Sequence, residues 1–215
     1  MYLAIDGVIG VGKTSLVRLL QSAFGAAALL EVFEENPFLS DFYSDRARYA
    51  FQTQIFFLLS RYHQQRAVPG LLDQGPLIAD YTFAKDALFA GINLAGDDRV
   101  LYHRLHAALA EKIPRPDLVV YLRAPTAVLM QRIDRRGRAY ERQMDAAYIE
   151  ALNRAYDEFF TAPNGPRAQQ PVLTLDTEGL DFVGNDGDLR RVAEQIHAAL
   201  GVGDYQVPLP FGGQG

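Results

Sequence analysis

Residues 7 to 14 read Gly7-Val8-Ile9-Gly10-Val11-Gly12-Lys13-Thr14, with the apolar run Tyr2-Leu3-Ala4-Ile5 before them and the helical spacing Leu16, Leu19, Leu20 after. A G-x-x-x-x-G-K-[ST] run in that context is a strand-loop-helix turn whose glycines let successive backbone N–H groups converge on phosphate oxygens. The following helix N-terminus adds partial positive charge. The loop from Gly7 and Gly10 through Val11, Gly12, Lys13 and Thr14 to Ser15 is therefore expected to cradle a nucleoside triphosphate such as ATP. Lys13 would reach the β- and γ-phosphates, and the Thr14 hydroxyl would face Mg²⁺. A glycine turn serving only strand-helix packing would not need Lys and Thr in register.

The rest of the composition narrows what such a loop can belong to. With 215 residues and 49% apolar content the chain can bury one sizeable core, which predicts a single domain over 1–200. The absence of cysteine excludes disulfides and thiolate chemistry. A net charge of −5 argues against a nucleic-acid surface, which would need arrays of Lys and Arg. No apolar stretch approaches a membrane span and no leader is read at the N-terminus, so the expectation is a cytoplasmic protein with no membrane partner.

Short apolar runs alternate with longer helical patterns, the signature of an α/β fold with a parallel sheet. Five strands are predicted over 2–6, 28–33, 70–73, 117–122 and 171–176. Helices are predicted over 13–24, 47–67, 77–90, 98–112, 125–135, 144–162 and 187–200. Pro125 suits a first helical position. Residues 201–215 carry helix breakers and no periodicity and read as a flexible tail.

Three further segments carry chemistry. In open parallel sheets ligands lie beyond the carboxyl ends of strands, so Glu31, at the end of the second run, faces the same crevice as the loop and is a candidate general base. Glu34 and Glu35, further on, read as solvated charges. In Phe51-Gln52-Thr53-Gln54-Ile55-Phe56-Phe57-Leu58-Leu59-Ser60-Arg61, Gln54 and Arg61 stand two turns apart on one helical face. A planar heterocycle could partner that amide and guanidinium, although a snorkelling Arg and a Gln bonded to its neighbours would leave the same pattern. Arg132, Arg135, Arg136 and Arg138 cluster around the helix breaker Gly137 and suit an arginine-rich lid that stabilises charge on a moving phosphoryl group.

Taken in this order, I-D-G-V-I-G-V-G-K-T, E-N-P-F-L-x-x-F-Y, the Gln54/Arg61 helix and the arginine lid resemble the deoxyribonucleoside kinases, in particular the bacterial deoxyadenosine and deoxyguanosine kinase branch. The resemblance spans residues 2–200 and implies a phosphate-loop kinase: a five-stranded parallel sheet flanked by helices, with ATP and Mg²⁺ serving phosphorylation of a deoxynucleoside 5′-hydroxyl. It implies Glu31 as base, Lys13, Arg132, Arg136 and Arg138 as the catalytic cations, and Tyr43 with Glu141 on the sugar 3′-hydroxyl. Gln54, Arg61 and Asp80 would read the base. An acceptor such as Asp80 favours bases with an exocyclic amine over thymine, and the E-N-P-F likeness favours purines. It also implies a homodimer, through helices such as those over 77–112 and 144–162.

One departure stands out. Where relatives carry [DE]-R-[ST] after strand 3, this reading finds Asp73-Gln74-Gly75. Asp73 is then expected to assist Mg²⁺, and the missing arginine would be replaced by Lys85 or Arg123. Among rivals, a nucleoside monophosphate kinase would need basic residues near Glu31, where the chain is acidic; a GTPase would need N-K-x-D, which does not occur. A non-catalytic nucleotide-binding module would not require Lys13, Thr14, Glu31 and the lid together.

Overall fold

Strand β1 (Tyr2–Gly7) is buried along its whole length, which requires cover on both faces and hydrogen-bonded neighbours on both edges. Those neighbours are β3 (Leu77–Ala79) and β4 (Leu118–Arg123), with β2 (Ala27–Leu29) outside β3 and β5 (Val172–Asp176) outside β4. All pairings are parallel, in the order β2-β3-β1-β4-β5. The computed structural model describes residues 1–141, 144–162, 165 and 170–201, so the tail expected over 201–215 lies outside the described residues from 202 onward.

Nine α-helices among the described residues connect and cover the sheet: α1 (Lys13–Phe24), α2 (Leu39–Ser44), α3 (Arg46–Gln65), α4 (Val68–Leu72), α5 (Lys85–Asn93), α6 (Gly96–Ala110), α7 (Thr126–Arg136), α8 (Ala146–Thr161) and α9 (Asp186–Ala199). A single 3₁₀ turn over Ala139–Glu141 follows α7. The core joins β1, β3 and β4 to the apolar faces of α1 and α8. There Tyr121 of β4 stacks on Phe160 of α8 at 4.6 Å.

The expected strand over 70–73 is not formed, and the helix expected over 77–90 starts late. Leu71 and Leu72 close α4, which has proline in its first turn, whereas the strand is the next apolar run. Gly75, at φ +152°, and Pro76 separate the two, because neither continues a helix. Leu77, Ile78 and Ala79 are fully buried between β1 and β2, a continuous apolar triplet that periodicity alone does not distinguish from helix. The remaining expected strands and helices form close to their predicted bounds, although β2 is only three residues long.

Asp6, near the end of β1, is fully buried and holds this end of the sheet together. Its Oδ1 accepts from the Gly7 N–H at 2.8 Å and the Tyr156 hydroxyl at 3.2 Å, and its Oδ2 accepts from the Thr82 N–H at 3.0 Å and the Thr82 hydroxyl. One carboxylate thus ties the phosphate loop, the turn after β3 and α8. Asp6→Ala strands several buried donors and is expected to lower the unfolding free energy by about 2–4 kcal/mol in urea titrations. A loss under about 1 kcal/mol would show that the donors find other partners.

Candidate active site at the phosphate loop

Gly12 starts α1 in the left-handed region at φ 104°, leaving the helix N-terminus with no side-chain cap and its N–H groups free for an anion. Gly10 lies at φ 87°, and a Cβ added there would come 2.9 Å from the Leu129 carbonyl oxygen, so α7 rests against the loop at a distance that only glycine permits. The Lys13 ammonium donates to the carbonyls of Gly7 at 2.7 Å and Val8 at 3.1 Å. Burial, and then the nearby Lys85 ammonium, bring its pKa down to about 8.

Asp80, just past β3, joins three strand ends. Its Oδ2 accepts from the Thr14 hydroxyl at 2.6 Å and its Oδ1 from the Glu31 N–H at 2.7 Å. The Glu31 carboxylate in turn lies between two cations: Oε1 accepts from Arg61, with Nε at 2.9 Å, and Oε2 from the Lys85 ammonium at 2.5 Å. Arg61 also forms an ion pair with Asp86, which is fully buried on α5. Burial alone would raise the Glu31 carboxyl, but the two cations hold it well below the usual carboxylate range.

Around these charges opens a cavity lined by Leu39, Tyr43, Gln54, Phe57, Phe89 and Glu141. Gln54 is 2% exposed and lines this cavity from α3. Burial is the main cause that keeps the Tyr43 phenol protonated, so it can donate a hydrogen bond. A second cavity runs along the other side of the loop, between Ser15, Arg18, Arg132, Arg135 and the segment 180–184. Gly10, Lys13, Thr14, Arg136 and Arg138 line both, so the cavities meet at the loop and the lid. In the lid, Arg136 binds both oxygens of Glu141, with Nε at 3.0 Å, and Arg138 lies over the Phe33 ring at 4.2 Å.

Twelve residues singled out in the sequence therefore converge: Gly10, Lys13, Thr14, Glu31, Tyr43, Gln54, Arg61, Asp80, Lys85, Arg136, Arg138 and Glu141 line the first cavity. Glu34 and Glu35 are exposed, as expected. Two expectations are corrected, and Arg132 is placed. Asp73 is exposed ahead of β3, at the amino end of a strand whose carboxyl end faces the loop, so it cannot share a metal with Thr14. The acid that follows strand 3 is Asp80, and the triplet reads Asp80-Tyr81-Thr82. Asp80 is thereby committed to Thr14 and the Glu31 backbone, not to a base. Arg132 donates to the Thr177 hydroxyl at 2.9 Å and carbonyl at 2.7 Å and lines only the second cavity.

Asp86, Phe57 and Phe89 were missed. A buried Arg61 calls for a carboxylate partner, and that requirement was the available signal for Asp86. With α5 started eight residues early, its position on the helix face could not be assigned.

A parallel sheet with this loop, a carboxylate beside it and a lid of arginines defines a phosphate-loop kinase. The chain belongs to the deoxynucleoside kinase family, whose pattern it matches over residues 3–200, and is a phosphotransferase. It is 34% identical to a deoxyguanosine kinase of Bacillus subtilis over 91% of this chain and 95% of that one. It is also 27% identical to the deoxyadenosine/deoxycytidine kinase of that organism, over 92% of both chains. The structure of the deoxyadenosine kinase of M. mycoides with bound dATP superposes with a TM-score of 0.80 at 26% identity, covering 92% of this chain and 99% of that one.

A triphosphate favours the charged form of Lys13, so it raises the Lys13 pKa on binding. Affinity for Mg-ATP is then constant below pH 8 and weakens as pH rises through about 8, by up to about tenfold per pH unit. Calorimetric titrations between pH 7 and 9.5 should show this slope. Lys13→Arg, which does not titrate in that range, should flatten it. A wild-type dissociation constant independent of pH would refute the assignment.

Proposed function

We propose that the chain transfers the γ-phosphoryl group of ATP to the 5′-hydroxyl of a deoxyribonucleoside. Purine deoxynucleosides, deoxyguanosine and deoxyadenosine, are the preferred acceptors, and deoxycytidine is a further candidate. The observation that carries this reading is the junction of the two cavities. Lys13, Thr14, Arg136 and Arg138 border both, and Glu31 lines the first. Donor triphosphate fits the cavity along Ser15 and the arginines; acceptor nucleoside fits the enclosed one.

Glu31 takes the proton of the 5′-hydroxyl as that oxygen attacks the γ-phosphorus. The bond from the γ-phosphorus to the bridging oxygen breaks, and its electron pair remains on the β-phosphate of ADP. Lys13 faces the β- and γ-phosphates, and Arg136 and Arg138 stabilise the equatorial oxygens once they leave Glu141. The Thr14 hydroxyl and Asp80 carboxylate, 2.6 Å apart, are oxygen ligands suited to Mg²⁺, which would neutralise phosphate charge there. Tyr43 and Glu141 hold the sugar 3′-hydroxyl. Gln54 and the Arg61–Asp86 pair take the base edge between Phe57 and Phe89, the place earlier given to Asp80.

No helix among the described residues is long and apolar enough to cross a membrane, in keeping with a cytoplasmic enzyme. A homodimer is supported by α6, where Tyr102 alone is buried while Val100 and Leu101 are 50% and 56% exposed.

Steady-state assays with Mg-ATP and each natural nucleoside should rank purine deoxynucleosides first and thymidine last; thymidine as the best acceptor would overturn the base assignment. Glu31→Gln, nearly isosteric but unable to take the proton, should lower kcat roughly 10²-fold or more with little change in KM. A raised KM at unchanged kcat would make Glu31 a substrate clamp instead.

A further inference from the structure

Lysine is scarce in this chain. Of 21 basic residues three are lysines, Lys13, Lys85 and Lys112, and two of the three converge on the site. Lys85 is 3% exposed, although buried lysines are rare without a partner. Its partner is Glu31 Oε2, at 2.5 Å. The ammonium also lies 5.5 Å from the ring centroid of Tyr81.

We propose that Lys85 is the positioning residue for Glu31: from the first turn of α5 it supplies the second positive charge that the carboxylate meets and fixes the direction of the base. This rests on the kinase reading above. Four charges pack together, Glu31 and Asp86 against Arg61 and Lys85, and they sum to zero. Arg61 serves both acids, so it cannot neutralise Glu31 alone. Without Lys85 the cluster carries a net negative charge next to the cavity where a triphosphate must enter.

The other charged and titratable groups facing Glu31 do not fill that place. They are Lys13 on α1, Asp80 and Tyr81 after β3, and Tyr156 on α8. Lys13 is turned onto the Gly7 and Val8 carbonyls, Asp80 is acidic, and burial keeps both phenols neutral. Arg123, the other candidate cation, is 46% exposed and paired with Asp157, away from Glu31.

During transfer Lys85 stays on Oε2 while the other face of the carboxylate takes the 5′-hydroxyl proton. Glu31 then becomes a neutral acid with Lys85 still on Oε2.

The test compares wild type, Lys85→Met and Lys85→Arg with Mg-ATP and deoxyguanosine or deoxyadenosine, measuring kcat and KM from pH 4.5 to 9 and checking fold by circular dichroism. Lys85→Met should lower kcat roughly 30-fold or more, with nucleoside KM within about threefold. Lys85→Arg should recover at least about a tenth of wild-type kcat. If Lys85→Met does not fold, Lys85→Gln takes its place, with the same expectations.

Wild-type turnover with Lys85→Met or Lys85→Gln within about twofold of it overturns the role of Lys85 and leaves the kinase reading intact. A slow variant with raised nucleoside KM that Lys85→Arg does not rescue overturns it too, since a merely structural lysine would behave that way. Absence of phosphoryl transfer by wild type overturns the kinase reading itself.

Discussion

Glu31 keeps its charge beside the phosphate loop because each of its oxygens has its own cation, Arg61 on one side and Lys85 on the other. Everything near the loop is arranged around that balance. Arg61 needs a second acid, and Asp86 provides it from the next residue of α5. A buried charge of either sign left over would cost several kcal/mol, so the four side chains stand or fall together. The same arrangement holds the Glu31 carboxyl well below the usual carboxylate range.

Two acids beneath this cluster set its rigidity. Asp6 and Asp80 each bridge separate strand ends, Asp6 to Thr82 and Tyr156 and Asp80 to Thr14 and Glu31, so the loop and the base are held on one frame. The lid is held differently. Arg136 and Arg138 have Glu141 and the Phe33 ring as partners, on elements at the rim. Partly exposed ion pairs of this kind are weak and exchange readily for a phosphate. A fixed base with exchangeable lid cations suits a reaction in which charge appears late and must be met without moving the nucleophile.

Most of this was readable in the sequence because local pattern and chemistry coincide. The loop fixes its own conformation, Glu31 follows from the rule that sites lie at strand carboxyl ends, and the spacing of Gln54 and Arg61 follows from helical pitch. Strand 3 was misplaced because two short apolar runs, 70–72 and 77–79, flank one Gly-Pro, and either can form a strand. That single shift moved the acid from Asp80 to Asp73 and the missing arginine from Tyr81 to Gln74, and it hid Asp86. The placement of Arg132 was not legible, because its anchor, Thr177, lies 45 residues away and no local rule reaches that far.

The corrected register changes what the missing arginine means. Tyr81 is fully buried, its hydroxyl donates to Gln64 Oε1 at 3.1 Å, and Gln64 donates to the Leu30 carbonyl at 3.0 Å. The residue thus serves as a packing strut from β3 to α3 and the end of β2, a role that a guanidinium aimed at the base could not fill. The cation that meets Glu31 stands four residues further on, at the first position of α5. A helix N-terminus disfavours positive charge by roughly 0.3–1 kcal/mol, so this is a poor place for a lysine unless a carboxylate repays it. Glu31 does so at 2.5 Å, with the Tyr81 ring adding a weaker attraction from its face. An intrinsically unfavourable position, full burial and a single carboxylate partner together distinguish Lys85 from a lysine that merely faces solvent.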